Sequence, residues 1–265
     1  MTRYWVTPIF ALALIAGGAA AASASTASPA LTAHQTAPAH TVVPGHPMGW
    51  LPGASPSSTN STAQSTNWSG YAVTGGTGAF KSVSASWVEP KASCNGTKYA
   101  AFWVGLDGYN SDSVEQTGSD SDCTGSSPTY YGWYEMYPAN PVYYTNTVDA
   151  GDHFTASVTF SGTDTYTLVL KDVTRGWTHT VKKTSSGDAR SSAEVITEAP
   201  SSETGVLPLA NFGTVDYTAA KANGTSMSSQ SPVKIVMIDN SGNDKDSTST
   251  ITSAGAFHNT WIRAN

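Results

Sequence analysis

An all-β fold, a sandwich or jelly roll of short strands, is what this 265-residue sequence predicts, on three observations. Ser and Thr together number 70, beside 24 Gly and 14 Pro, a composition that suits strands and turns and leaves little material for helical bundles. Apolar and polar residues alternate with a period of two over several short runs. Clusters of turn residues separate those runs at the spacing of a sandwich or barrel.

The elements follow in chain order. Arg3 precedes an apolar run from Tyr4 to Gly17, and Ala22-Ser23-Ala24 supplies a small-residue cleavage site, so residues 1–24 read as a secretory signal peptide. Pro8 and the early glycines leave that run too short for a membrane anchor, and no stop-transfer charges follow. The expectation is a secreted, extracellular chain, free of the membrane once the signal is cleaved. Residues 25–62 contain no Lys, Arg, Asp or Glu, and place His34, His40 and His46 among Pro, Ala, Ser and Thr. Such a segment buries too little surface to offset its ordering entropy, and reads as a disordered pro-segment or linker.

Residues 63–265 remain for one β domain. Ser82–Val88 alternates until Pro90 ends it, and Phe154–Phe160 and Tyr166–Leu170 repeat the pattern. Trp177–Val181 and Val233–Ile238 add two further strands. Gly75-Gly76, Ser161-Gly162, Arg175-Gly176, Ser186-Gly187 and Asn240-Ser241-Gly242 supply the turns. No convincing helix follows the leader, and there is no internal repeat.

Charge and cysteine content narrow the function. With Arg3 gone, 12 basic against 19 acidic side chains leave a net charge of −7, and no basic stripe is present to hold a nucleic-acid backbone. Two cysteines in an exported chain predict one disulfide, Cys94–Cys123, which closes a loop around Trp103–Gln116 and leaves no thiol for nucleophilic work. There is no HExxH, no CxxC pair and no Gly-rich phosphate loop, so neither metal nor cofactor is expected. His153, His179 and His258 lie in or beside strand patterns or near the C-terminus, with no GxSxG elbow to pair with.

Carboxylates and an amide are left. Between Tyr130 and Tyr144, seven aromatic residues surround the single Glu135. That is more than one core face absorbs, so some are expected to line a cleft, and a carboxyl desolvated by rings is a setting for a proton donor. The alternative is a packed strand whose glutamate points to solvent. Glu194 and Glu198 are the other two glutamates whose settings stand out. Gln116 falls at the end of the run Ser113–Thr117, just before what reads as a turn glycine, Gly118. A neutral amide there can donate to a developing oxyanion while its oxygen holds a water, or it is a plain turn residue.

The segments Asn67-Trp68-Ser69-Gly70-Tyr71, Phe102-Trp103-Val104-Gly105-Leu106-Asp107-Gly108, Glu115-Gln116-Thr117-Gly118-Ser119-Asp120, Trp133-Tyr134-Glu135-Met136-Tyr137-Pro138 and Ala193-Glu194-Val195-Ile196-Thr197-Glu198 resemble, in this order, the glutamic peptidases or eqolisins. Pro208-Leu209-Ala210-Asn211-Phe212 continues the likeness. The resemblance implies two large antiparallel sheets in a jelly-roll or concanavalin-like sandwich, acting as a monomer on polypeptide substrates at acid pH without a cofactor. It puts the catalytic pair on Gln116 and Glu198. Supporting places fall on Trp103, Asp107, Glu135, Asp120 and Trp68, and the substrate cleft on Trp133, Tyr134 and Tyr137. Ala199-Pro200 departs from the acidic, aromatic pair common after the second glutamate. A rival reading is a carbohydrate-binding or carbohydrate-cleaving sandwich with Glu135 and Glu198 as its carboxylate pair, a mechanism that gives Gln116 no necessary role.

Overall fold

The computed structural model describes residues 62–202 and 204–265. The signal peptide read at 1–24 and the pro-segment or linker up to residue 61 lie outside the described residues. Thr62, read as the linker's last residue, instead opens a strand and pairs with Lys234.

The strands in chain order are β1 (Thr62–Ser65), β2 (Trp68–Thr74), β3 (Ser82–Val88), β4 (Ala101–Leu106), β5 (Val114–Thr124), β6 (Ser127–Tyr137), β7 (Val142–Tyr143), β8 (His153–Phe160) and β9 (Thr165–Asp172). They continue with β10 (Trp177–Thr184), β11 (Ser192–Glu198), β12 (Ser201–Ser202), β13 (Gly205–Val206), β14 (Thr214–Ala222), β15 (Thr225–Ser226), β16 (Val233–Met237), β17 (Asp246–Thr248) and β18 (Phe257–Trp261). One 3-10 turn, Met227–Ser229, is the only helical element among the described residues. The alternating runs expected at Ser82–Val88, Phe154–Phe160, Tyr166–Leu170, Trp177–Val181 and Val233–Ile238 are β3, β8, β9, β10 and β16.

Two large sheets result. The first runs β1-β16-β2-β11-β4-β5-β6-β7 and the second β10-β9-β8-β3-β14-β18-β17, with β15 on the flank of β14. The ladders are antiparallel except β1 with β16. Period-two alternation sends Phe102, Val104, Leu106, Val195 and Tyr71 of the first sheet inward, against Val83, Trp87, Phe154, Val158, Leu168 and Leu170 of the second. Each such fully buried side chain contributes about 1.5–3 kcal/mol. Trp87 stacks on Phe154 with ring centroids 5.7 Å apart, and its Nε1 donates to Ser119 Oγ at 2.9 Å, tying the back of β5 to the second sheet.

The expected disulfide is present, with Cys94 and Cys123 Cα atoms 5.3 Å apart. It fixes the end of β5, the strand that begins near Gln116. In the chain-entropy account, closing a loop of this length is worth about 3–4 kcal/mol.

Candidate active site

Five neighbouring strands of the first sheet, β2, β11, β4, β5 and β6, carry the five motif segments, and their register arranges the outward-facing residues in three rows. The first row reads Ala72, Glu194, Gly105, Gln116, Glu135. The second reads Gly70, Ile196, Trp103, Gly118, Trp133, and continues to Tyr143 on β7. The third reads Trp68, Glu198, Ala101, Asp120, Tyr131. All sit at even spacing on their strands, so one pleat parity gathers Trp68, Trp103, Gln116, Asp120, Trp133, Glu135 and Glu198 on the face turned away from the second sheet. The aromatic members of this face form their own packed cluster with Ile196, Ile235 and Val114, and Tyr137 packs against it.

The polar contacts within the face are specific. Gln116 Nε2 donates to Glu135 Oε2 at 2.6 Å. Trp103 Nε1 donates to Glu198 Oε2 at 2.9 Å, and Trp133 Nε1 donates to Asp120 Oδ1 at 2.7 Å. The Trp68 and Trp103 rings meet edge to face at 4.8 Å. Trp68 itself is set by Ser65, whose Oγ accepts from the Trp68 N–H at 3.0 Å. Gln116, Glu135, Glu198, Trp103 and Trp68 are all buried.

Glycines make room for this arrangement. A Cβ on Gly118 would lie 2.1 Å from Phe102 O and 2.6 Å from Trp103 Cβ, and one on Gly105 would lie 2.8 Å from Trp103 Cζ3 and 3.2 Å from Gln116 Cβ. The Trp103 indole therefore lies over Gly105 beside Gln116 at one edge and reaches Glu198 through Nε1 at the other. The turn expected at Gly118 is not there: β5 runs on to Thr124, Gln116 is its third residue, and the glycine serves the close approach of β4.

Two expected roles change. Tyr134 does not line the cleft. It sits opposite Thr117 in the inward-facing parity, packs against Tyr144 with centroids 6.1 Å apart, and lies under the Lys183 ammonium of the second sheet. The aromatic surplus between Tyr130 and Tyr144 is thus divided between two faces of one strand pair, Trp133 and Tyr131 outward, Tyr134 and Tyr144 inward. Asp107, expected in a supporting place, makes no hydrogen bond to Gln116 or Glu198 among the described residues. Its Oδ2 accepts from Arg190 N at 2.5 Å and its Oδ1 from Ser191 N at 2.9 Å, so it anchors the loop that leads into β11.

Further buried carboxyls surround the site. Asp122 follows Asp120 by two residues on the same face and accepts from Tyr131 OH. Burial drives the Asp120 carboxyl well above its usual range, reinforced by the charge of Asp122, and Asp122 itself rises to about 7, again through burial. Behind β5, Glu89 accepts from Ser119 Oγ and, at 2.6 Å, from Ser121 Oγ, and its burial lifts it to about 8. Glu115, on the inward face, is lifted to about 9 by burial and by Asp188 and Asp107. Burial likewise raises Glu194 well above its ordinary value. The parity of Asp122 with Asp120 was readable in the sequence; the burial of Glu89 beside Pro90 was not. His179 stacks face to face on Tyr144, and no group of residues among those described is arranged to hold a metal ion.

Residues 66–261 match the peptidase A4 family. The chain is 28% identical over 208 residues to aspergillopepsin-2 of Aspergillus niger, covering 69% of this chain and 74% of that protein. It is 30% identical over 178 residues to scytalidopepsin B of Scytalidium lignicola, covering 61% and 66%. The solved structure of scytalido-glutamic peptidase with a transition state analog inhibitor superposes with a TM-score of 0.64 at 26% identity, over 74% of this chain and 98% of that one. With the motif segments adjacent in one sheet and residues 66–261 matched as a whole, this chain belongs to the peptidase A4 family and is a peptidase of the glutamic type.

Proposed function

We propose that the chain is a secreted endopeptidase that hydrolyses peptide bonds in acid with Gln116 and Glu198 acting on a water. The observation that carries this reading is the 2.6 Å hydrogen bond from Gln116 Nε2 to Glu135. An amide nitrogen has two hydrogens, so with one held by Glu135 the other is oriented toward the sheet face, where a tetrahedral oxyanion can receive it. Gln116 Oε1 is buried and has no hydrogen-bond partner among the described residues, and it is the atom that accepts from the attacking water.

Glu198 takes the proton of that water as general base. The water oxygen bonds to the scissile carbonyl carbon, and Gln116 stabilises the oxyanion. Glu198 then passes its proton to the leaving nitrogen as the C–N bond breaks, which restores the carboxylate. Trp103 holds Glu198 in place throughout. The carboxylate-pair reading leaves Gln116 idle, whereas here its amide is the group that Glu135 fixes. No helix among the described residues is long and apolar enough to cross a membrane.

Glu198→Gln and Gln116→Ala, assayed on an acid-denatured protein substrate, test the dyad. Each should lower kcat by at least about a hundred-fold, the scale of losing a general base or an oxyanion donor, with circular dichroism unchanged. Near-normal turnover in either variant overturns the assignment.

A further inference from the structure

Beyond the Trp68–Glu198 pair, the two strands that carry these residues lead to a pocket of about 370 Å3. Ala199 N donates to Asn67 O and Leu207 N to Pro200 O, both at 2.8 Å, so the ladder continues one step past Glu198 and turns into the β12–β13 hairpin. Thr66, Val206, Ile238, Asp239, Lys245 and Asn265 are among the residues that line the pocket.

Lys245 is the unusual member. It is 3% exposed, and its ammonium has neither an ion pair nor a hydrogen bond to any described residue. The nearby acids are engaged elsewhere. Asp246 accepts from Ser69 Oγ, while Asp239 accepts from Ser241 N at 2.7 Å, Asn243 N at 2.9 Å and Asn243 Nδ2 at 2.9 Å. Burial consequently pulls the lysine down to about 8, only partly opposed by those two acids. A cation whose burial is only partly offset in this way gains from an anion delivered into the pocket, through a charge-assisted hydrogen bond.

We propose that this pocket is a subsite for a carboxylate of the peptide substrate and that Lys245 is the residue that recognises it. The inference rests on the peptidase reading above. Thr66 is two residues from Trp68, and a strand rises about 3.3 Å per residue, so the carboxylate belongs about two to three residues from the scissile bond. Asp or Glu side chains and the C-terminal carboxylate share this chemistry. At about pH 5 such groups are largely ionised and the lysine is charged.

The test is kcat/KM at about pH 5 for a peptide whose single Glu is walked from the third residue before the scissile bond to the third after it. Each peptide has its Gln counterpart and is made as free acid and as amide, which separates the two sources. Calorimetric binding of the same peptides to the Glu198→Gln protein gives a readout that does not need turnover. The expected result is one Glu position, or the free acid, favoured at least about five-fold over its neutral counterpart, as a single charge-assisted hydrogen bond would give. Lys245→Met should bring that ratio close to one, and Lys245→Arg should keep it. A wild-type ratio near one at every position in both readouts overturns the subsite even if the peptides are cut, and needs no variant to fold. So does a preference that Lys245→Met retains. Lys245-dependent binding without any cleavage would instead sustain the subsite and overturn the acid endopeptidase proposed above.

Discussion

The Trp103 indole Nε1 donates to Glu198 Oε2 at 2.9 Å, which ties the residue at the centre of β4 to the carboxylate at the end of β11. A hydrogen bond to a charged acceptor is worth about 1.5–3 kcal/mol, and here it also sets the direction of the carboxylate. Trp103→Phe keeps most of the ring that packs on Trp68 and Gly105 while deleting the donor. It should lower kcat about ten- to a hundred-fold, with a smaller change in KM. A carboxylate that loses a donor holds its proton more tightly, so the acid limb of the pH–rate profile should move to higher pH. An unchanged profile would show that this bond only packs the face.

Gly118 carries no side chain because β4 passes too close. Gly118→Ala would place Cβ 2.1 Å from Phe102 O, a backbone atom that cannot give way as a side chain can. Overpacking of this kind costs about 1–3 kcal/mol or more, and here it also displaces Trp103. Gly76, with nothing within 4 Å of a Cβ, is the control. Gly76→Ala should stay within about 0.5 kcal/mol of the parent. Urea midpoints for the two variants check the contrast.

Stability should fall as pH rises out of the acid range. In the native state Glu89 rises to about 8, Glu115 to about 9, and Asp122 and Asp246 to about 7. Unfolded, such carboxyls titrate near about 4. Between those values the native state holds protons that the unfolded chain releases, so stability is full below about pH 4 and is lost as pH climbs through 7 to 9. Burial of neutral carboxyls is the cause. Melting temperatures from about pH 3 to 9 should decline steadily, and Glu89→Gln should flatten the fall between about 4.5 and 8. A maximum at neutral pH would contradict this.

Much of the fold was legible because β3, β8 and β9 each have one face toward the core, and their sequences alternate accordingly. β5 offered no such signal. Ten of its eleven residues are buried, on both faces, so Gly118 resembled a turn and the strand's far half went unread. The site residues came from motif resemblance, and their convergence follows from parity: Gln116, Gly118 and Asp120 share one face, as do Glu194 and Glu198. Tyr134 failed by a single residue of that parity, since a shift of one reverses the face. Asp107 failed for another reason. It lies past the end of β4 at φ 69°, where strand alternation no longer says where a side chain goes. Lys245 had no motif, and only tertiary burial sets it apart.

Glu135 is the last element to isolate, because its task is to orient rather than to react. One of its oxygens holds Gln116 Nε2 at 2.6 Å, and the amide of Gln116 would otherwise be free to flip its nitrogen and oxygen. Glu135→Gln can still offer a carbonyl oxygen but no charge, and its own amide can turn to present a donor, which would push Gln116 into the flipped state. The oxyanion would then face a carbonyl oxygen. We expect Glu135→Gln to lower kcat about ten- to a hundred-fold with KM nearly unchanged, the mark of an interaction realised only in the transition state. Glu135→Ala should cost more, because it leaves the Gln116 donor without its partner. A transition-state analogue should lose affinity in the same proportion as kcat/KM, while a plain substrate analogue should not. Equal losses for both ligands would mean that Glu135 merely shapes the cleft.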